Sequence, residues 1–461
     1  MEARMKKPNI LFLFSDQQRH DTLGCYNSSV DFTPNLDQLA AEGVRFENAF
    51  TCQPVCGPAR ACLQTGLYAT QTGCYRNGIP LPQTVTTIAD RFGQSGYETA
   101  YIGKWHLASA GTKPVPSEQR GGYRDYWMAA DLLEFTSDGH GGYMFDTHDR
   151  RVDFKGYRAD CQTDFVLDYL QNRELGKPFF GFVSYLEPHH QNGAGHYQGP
   201  AGSKSRFKDY PVPEDLKAFR RPLSKPVTEK DRQDTAHQFR KRSLGDWAEE
   251  YPDYLGCCAS LDENVGRIVR ALKERGIYEN TVIVYTSDHG SHFRTRNAEY
   301  KRSCHDSSVH VPLVIRGPGF TGGKAFSELV SLIDLPVTLM QCGGIEIPSG
   351  LQGNPLQKLT RGDHSDWPQE VFIQISESQV GRAIRTKRWK YSVKAPFKNG
   401  WIHEDSGIYR EEFLYDLEND PHELRNLVDR KEYGEVRAEL RQRLIKRMTK
   451  AGERTPKIIG K

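Results

Sequence analysis

The chain has no run of eighteen apolar residues, roughly the length a helix needs to cross a bilayer, so no helical membrane span is expected. No C-x-x-C pair occurs among its 10 cysteines, which argues against a zinc cage, and most of them read as buried thiols. A charge bias is missing too. Lys and Arg number 62 against 59 acidic residues, a net of +3, which excludes a polyanion-coating protein and gives no reason to expect a nucleic-acid partner. No internal repeat is visible. The start, MEARMKKPNILFLFSDQQ, has too short an apolar core for a signal peptide and no small-residue cleavage site after it. The chain as it stands reads as cytoplasmic, or as periplasmic if a leader has been trimmed.

What is present is a large globular sequence. Its 461 residues can bury a sizeable core, in two domains or one large and one small. The Gly343–Gly353 region, with Pro348, marks a boundary near residue 350, giving a large N-terminal domain over 1–350 and a small C-terminal domain over 351–461. The continuous apolar run Ile10–Phe14 and the β-branched run Thr281–Thr286 read as parallel strands buried on both faces, and Phe179–Leu186 and Tyr97–Gly103 as further strands. Helices are expected at Thr33–Gly43, Pro82–Phe92, Asp164–Asn172 and Tyr251–Arg275. Residues 108–160 read as irregular loops. The polar stretch 193–245 is either a solvated excursion or a lid that grips an anionic glycan. Beyond the boundary, strands at Gly381–Thr386, Trp389–Val393 and Phe413–Leu417, then a helix from Glu435 to Met448, suit an α+β unit.

Polar residues follow the strands directly. Asp16 and Gln17 come after the first, Asp288 and His289 after Thr281–Thr286; their oxygens could serve a hard cation such as Ca²⁺ or Mg²⁺, with His289 adding a ligand. Lys104 and His106, two apart after the Tyr97 strand, would point the same way if the chain stays extended. Glu187-Pro188-His189-His190-Gln191-Asn192 ends the Phe179 strand. Between these lies Thr51–Gly73, containing Cys56-Gly57-Pro58-Ala59-Arg60. Pro58 is tolerated in a helix's first turn, so Cys56 would sit at a helix N-terminus, where backbone N–H groups favour an anion.

Cys-x-Pro-x-Arg followed by Thr65-Gly66 resembles the signature of the type I, formylglycine-dependent sulfatases. Other motifs match in chain order: the Thr33-Pro34-Asn35-Leu36-Asp37 stretch, Gly103-Lys104-Trp105-His106, Pro188-His189, Ser287-Asp288-His289-Gly290 and Val311-Pro312-Leu313. The resemblance runs from Asn9 to about Leu444. It implies an α/β, alkaline-phosphatase-like sandwich with a large, mostly parallel central sheet, plus a small C-terminal α+β domain with an antiparallel sheet. It implies a bacterial carbohydrate or polysaccharide sulfatase whose Cys56 is oxidised by a sulfatase-maturing enzyme to formylglycine (3-oxoalanine). One hydroxyl of the hydrated aldehyde would attack sulfur and the other would expel sulfate. By the same resemblance Lys104 and Lys301 would bind the sulfate, His106 would hold the formylglycine hydroxyl, Arg60 would orient it, and His189 would face the scissile oxygen as general acid. The cation would rest on Asp16, Gln17, Cys56, Asp288 and His289. His190, Gln191, Asn192, Arg302, His305 and Asp306 are candidate substrate contacts. The family's second Asp is Gln17 here, as in choline-sulfatase-like and phosphonate-hydrolase-like branches. The alternatives are therefore a phosphonate monoester or phosphodiester hydrolase on the same scaffold, and a non-catalytic glycan-binding relative with Cys56 unmodified.

Overall fold

The computed structural model describes residues 7–191, 193–218 and 247–460. Its centre is strand β1, Asn9–Ser15. Successive strand side chains point to opposite faces, and both faces are covered here. Ile10, Phe12 and Phe14 enter one apolar cluster, Leu11 and Leu13 another. That two-sided burial is why the run is apolar without alternation. In chain order there follow helix α1 (Pro34–Glu42), strand β2 (Val44–Phe50), helix α2 (Cys56–Thr65), strands β3 (Glu98–Lys104), β4 (Tyr126–Ala130) and β5 (Phe179–Ser184), helix α3 (Trp247–Glu274), and strands β6 (Thr281–Ser287) and β7 (Leu313–Arg316).

Strand β1 lies parallel to β5 on one side and β6 on the other; β3 extends the sheet from β5, and β4 from β3. Strand β7 runs antiparallel to both β6 and β2. The 12-stranded sheet is thus parallel at its centre and largely antiparallel beyond it, with Lys324–Ser331 again parallel to β2, mixed rather than mostly parallel. Helix α3 lays Leu261, Val265, Ile268 and Leu272 on the Leu11 face. The Phe12 face is covered by Phe92, Leu335 and Leu339 from the helices Ile88–Gln94 and Asp334–Cys342.

The register fixes the site. Phe14 lies opposite Ser184, Ser15 opposite Ser287, and Gly103 also opposite Ser184. Strands β1, β3, β5 and β6 therefore end at one level, and whatever follows them meets at the carboxyl edge of the sheet.

A second, five-stranded sheet contains Glu370–Ile375, Gly381–Thr386, Trp389–Lys394 and Ile408–Asp416 in antiparallel order, with Lys457–Ile459 parallel at its edge. The helix Gly434–Lys450 buries Leu440, Leu444 and Met448 against it. Cys52, Cys62 and Tyr68 share that apolar cluster with Phe372 and Ile384, so the second sheet packs directly behind α2.

Several expected elements move. The helix expected at Pro82–Phe92 begins only at Ile88, because the Thr87 side chain accepts from Asp90 N at 3.1 Å and caps it there. Residues 108–160 are not only loops. They hold β4 and the hairpin strands Gly141–Asp146 and Arg151–Lys155, whose turn is tied by Asp146 accepting from the His148 and Arg150 backbone N–H groups. The helix expected from Asp164 starts at Arg158, and the one expected from Tyr251 starts at Trp247. Glu370–Ile375 and Lys457–Ile459 are strands without a sequence expectation. Of the polar stretch 193–245, residues up to 218 carry two short helices, Ser203–Phe207 and Glu214–Lys217. The remainder of that stretch, and Asn192, lie outside the described residues.

Candidate active site

Helix α2 opens with Cys56, and all ten of its residues are buried. It closes at Gly66, which adopts the left-handed conformation favoured after a helix. At the open end Gly57 N donates to Asn77 Oδ1 at 2.9 Å, so one of the helix's unpaired N–H groups is satisfied from outside. A Cβ at position 57 would stand 3.0 Å from that same oxygen, tight enough to favour glycine.

The strand ends converge on the Cys56 sulfur. Cys56 Sγ lies 3.4 Å from Asp16 Oδ1 and 3.4 Å from His289 Nε2, and Lys301 Nζ donates to it at 2.8 Å. Lys301 also donates to His189 Nε2 at 3.1 Å. An ammonium has no lone pair to offer, so in this arrangement Nε2 is the acceptor and the neutral ring carries its proton on Nδ1. Asp16 Oδ2 accepts from Lys104 at 2.8 Å and from Arg60 at 3.0 Å. Arg60 spends its other nitrogen on Lys104 O at 2.9 Å and Ser184 Oγ at 2.6 Å. Gln17 turns back through a positive φ of 71°, donates its backbone N–H to Asp288 Oδ1 at 3.0 Å, and fixes its amide by donating to Tyr197 Oη at 2.7 Å.

Burial dominates the electrostatics here, and the neighbours decide which way each group goes. Burial alone would raise the Cys56 thiol, but Lys104, Lys301 and His289 outweigh it and hold its pKa well below the usual thiol range. Burial and the Cys56 charge push Asp16 up, yet Lys104, His189 and Lys301 hold it well below a normal carboxyl. Asp288 has weaker help, from His289 and Arg60, and it does not suffice. Burial and the charge of Asp16 push it up to about 7. For His189, burial and then Lys301 lower the pKa and keep the ring neutral.

Oxygen and nitrogen atoms of Asp16, Asp288 and His289, with Cys56 Sγ, all lie within 4.8 Å of one another. Asp288 Oδ2 is buried without a hydrogen-bond partner. His289 Nδ1 is 3.0 Å from Gly290 O, which assigns its proton to Nδ1 and leaves the Nε2 lone pair facing two carboxylates at 3.4 and 3.7 Å. Lone pairs and carboxylates crowded together repel; a divalent cation turns the same arrangement into a ligand set. The residues fit such an ion.

A cavity of about 330 Å³ opens onto Cys56 and is lined also by Gln17, His106, His189, His190 and Lys301. His106 reaches it although the chain is no longer extended there (φ 61°), so the expected reason for its placement fails while the placement stands. Lys104 sits behind, fully buried, between Asp16 and Glu134. His190 stacks on Tyr300 at 4.2 Å and faces the cavity. Arg302 lines it as well, held by Glu299 and Glu377. Gln191 does not face it; its amide donates to Glu134 O and Ser137 O, and its oxygen accepts from Arg158. His305 and Asp306 also turn away. His305 packs between Ser303 Oγ and Tyr415 Oη, and Asp306 is bound by Lys390 and Arg385 beside a separate cavity of about 440 Å³. Glu134, Asn77 and Arg294 belong to the Cys56 cavity without having been picked out from sequence. Only the apolar pair Leu132-Leu133 before Glu134 hinted that this acid was buried.

Comparison with known proteins agrees with this geometry. The family model described as Sulfatase matches residues 8–345, and the one described as N-sulphoglucosamine sulphohydrolase, C-terminal, matches 299–450. An uncharacterized sulfatase, YidJ, of Escherichia coli (strain K12) is 31% identical over 97% of this chain and 88% of its own. An N-acetylglucosamine-6-O-sulfatase of Bacteroides thetaiotaomicron is 28% identical over 95% of this chain and 86% of its own. Among solved structures, BT4656 in complex with its substrate D-glucosamine-2-N,6-O-disulfate superposes with a TM-score of 0.79 at 25% identity, covering 98% of this chain and 99% of the other.

Proposed function

The chain belongs to the sulfatase family and is a sulfuric ester hydrolase, and from that premise we propose that it cleaves sulfate esters on a carbohydrate, a sulfated amino sugar or glycan fragment, using position 56 as nucleophile. One observation carries the reading. Cys56 Sγ stands where Asp16, His289 and Lys301 meet, so an oxygen in its place would be both acidified and aimed at the cavity.

Oxidised to formylglycine by a maturing enzyme, position 56 would supply a hydrated aldehyde, one hydroxyl to attack sulfur and one to release sulfate. The cation, held by Asp16, Gln17, Asp288 and His289, would lower the pKa of the attacking hydroxyl and polarise a sulfate oxygen. We assign it as Ca²⁺ on the oxygens of Asp16, Gln17 and Asp288. Elemental analysis of the purified protein, with Mg²⁺ and Mn²⁺ as competitors, separates the ions.

The protein's own groups do the rest. Lys301, 2.8 Å from the position-56 atom and 3.1 Å from His189, meets the sulfate oxygens with a fixed charge. His189 serves as general acid once substrate binds: the sulfate draws Lys301 away from Nε2, and that nitrogen, free to carry the ring proton, gives it to the leaving oxygen. His106 steadies the position-56 hydroxyl from the cavity wall. Arg60 and Lys104 hold Asp16 in its charged form, and Glu134 holds Lys104. His190 and Arg302 are the substrate contacts we retain.

The test is mass spectrometry of the Phe46–Arg60 peptide after co-expression with a sulfatase-maturing enzyme, paired with sulfate release. Fragmentation must place the change at Cys56 rather than Cys52. An aldehyde or its hydrate at Cys56, with turnover of sulfated sugars exceeding that of aryl phosphonates, is the expected result. Plain cysteine in an active enzyme sinks the formylglycine route, and faster phosphonate cleavage sinks the sulfate assignment.

A further inference from the structure

The Cys56 cavity contains a cation that the chemistry above does not use. Of the charged groups on its wall, Lys301 is committed to Cys56, Arg302 is paired with Glu299 at 2.6 Å and Glu377 at 2.5 Å, and Glu134 is matched by Lys104. Arg294 lines the same cavity, and among the described residues no carboxylate pairs with it. Its Nε is buried without a hydrogen-bond partner. The guanidinium lies 4.4 Å from the centre of the Tyr300 ring, the ring that stacks on His190.

The backbone is bent to put it there. Phe293 and Arg294 both have positive φ, 48° and 61°, a region that residues with a Cβ enter at a cost. The segment is held in that state from behind. Phe293 packs edge-on against Tyr254 at 5.0 Å and lies 5.3 Å from Tyr197, and Thr295 N donates to His292 O at 2.8 Å. A strained pair of residues, anchored on one side, thus delivers an uncompensated guanidinium to the cavity on the other. A half-buried charge without a counter-ion is destabilising, and a ligand anion removes that cost.

We propose that Arg294 forms a subsite for a second anionic group on the substrate, a sulfate or carboxylate other than the ester that is cleaved. The inference rests on the sulfatase reading above. A guanidinium offers two parallel N–H donors to either oxyanion, a match an ammonium cannot make. The reacting sulfate already has Lys301 and the cluster around Cys56. Arg294 then separates multiply anionic sugars from singly sulfated ones.

The experiment uses matured enzyme turning over 4-nitrophenyl sulfate. The competitors are glucosamine 6-O-sulfate, D-glucosamine-2-N,6-O-disulfate and a uronate-bearing 6-O-sulfated disaccharide. At least one doubly anionic sugar is expected to compete roughly 10–100-fold better than the monosulfated one, the range of a charge-assisted bond. The sugar that shows the advantage tells sulfate from carboxylate. Arg294→Met, which keeps an apolar stem against Tyr300, is expected to abolish the advantage, and Arg294→Lys to lose part of it. A wild-type enzyme with no such advantage, or an R294M variant that keeps it, overturns the subsite. A protein with the aldehyde at position 56 that hydrolyses neither 4-nitrophenyl sulfate nor these sugars overturns the sulfatase reading instead.

Discussion

Two buried charge clusters in this protein are built in opposite ways. In the second sheet Arg382 and Glu453 are almost wholly buried, at 1% and 2% side-chain exposure, and close on each other. Arg382 Nε donates to both Glu453 oxygens, its other nitrogens donate to Gly381 O and Glu404 O, and Glu453 also accepts from Gln374. At the end of the first sheet, Asp16, Asp288, His289 and Cys56 are as deeply buried and remain open: Asp288 Oδ2 has no hydrogen-bond partner, only Arg60 at 3.6 Å, and its pKa is pushed up to about 7 by burial and by Asp16. A buried charge set closed by its own neighbours serves the fold. One left open is a site, and the stability it gives up is recovered only when something binds.

The sharpest way to break this contrast is Cys56→Ala. Sulfate release is expected to fall on the order of 10⁴–10⁶-fold, as when an enzyme loses its nucleophile, while the thermal midpoint of the cation-free protein holds or rises. A variant that keeps its turnover would put the open cluster outside the chemistry. Next is His189→Ala, expected to lose roughly 10²–10⁴ in kcat on a sugar sulfate. It should lose much less on 4-nitrophenyl sulfate, whose leaving group hardly needs a proton; equal losses on both would remove His189 from the role of acid. For the closed cluster, Glu453→Gln strands a buried arginine and should cost about 3–5 kcal/mol of unfolding free energy. Urea titration reads it, and kcat at low temperature should not follow. Chelation separates the clusters again. EDTA should destabilise the wild type, by about 2.7 kcal/mol if the ion had stood at a hundred times its Kd, read as a lower melting temperature, and should leave Asp288→Asn unmoved. The smallest effect is Asn77→Ala, which frees the Gly57 N–H and should cost about 1 kcal/mol, a typical capping loss.

The open cluster was legible in the sequence because its members sit beside strong signals. Asp16 and Asp288 follow apolar runs that can only be central strands, and Cys56 stands two before a proline at a helix start. The register Phe14–Ser184 and Ser15–Ser287 then does the assembly. Nearness in sequence misled at His305 and Asp306. They follow Lys301 closely, but the loop reverses and Lys390 and Arg385 draw Asp306 to the other cavity. Arg294 left no signal in the sequence, and Glu134 only the apolar pair before it. Neither has a periodic neighbourhood, and each acquires its place from a partner far along the chain or from a backbone conformation that composition does not encode. The antiparallel margins were missed for the same reason, since strands paired on an edge carry weaker apolar runs than those at the centre.

Helix α2 is buried from its first residue to its last. In the folded protein no second macromolecule can reach Cys56, so any enzyme that oxidises it must get there while the chain is still open. On the proposed formylglycine route, two clocks would then run from the moment the segment is synthesised, one for modification and one for collapse onto β1. Whichever finishes first would set the fraction of molecules that are ever active on that route, and variants that slow folding around α2 should raise that fraction even as they weaken the finished structure.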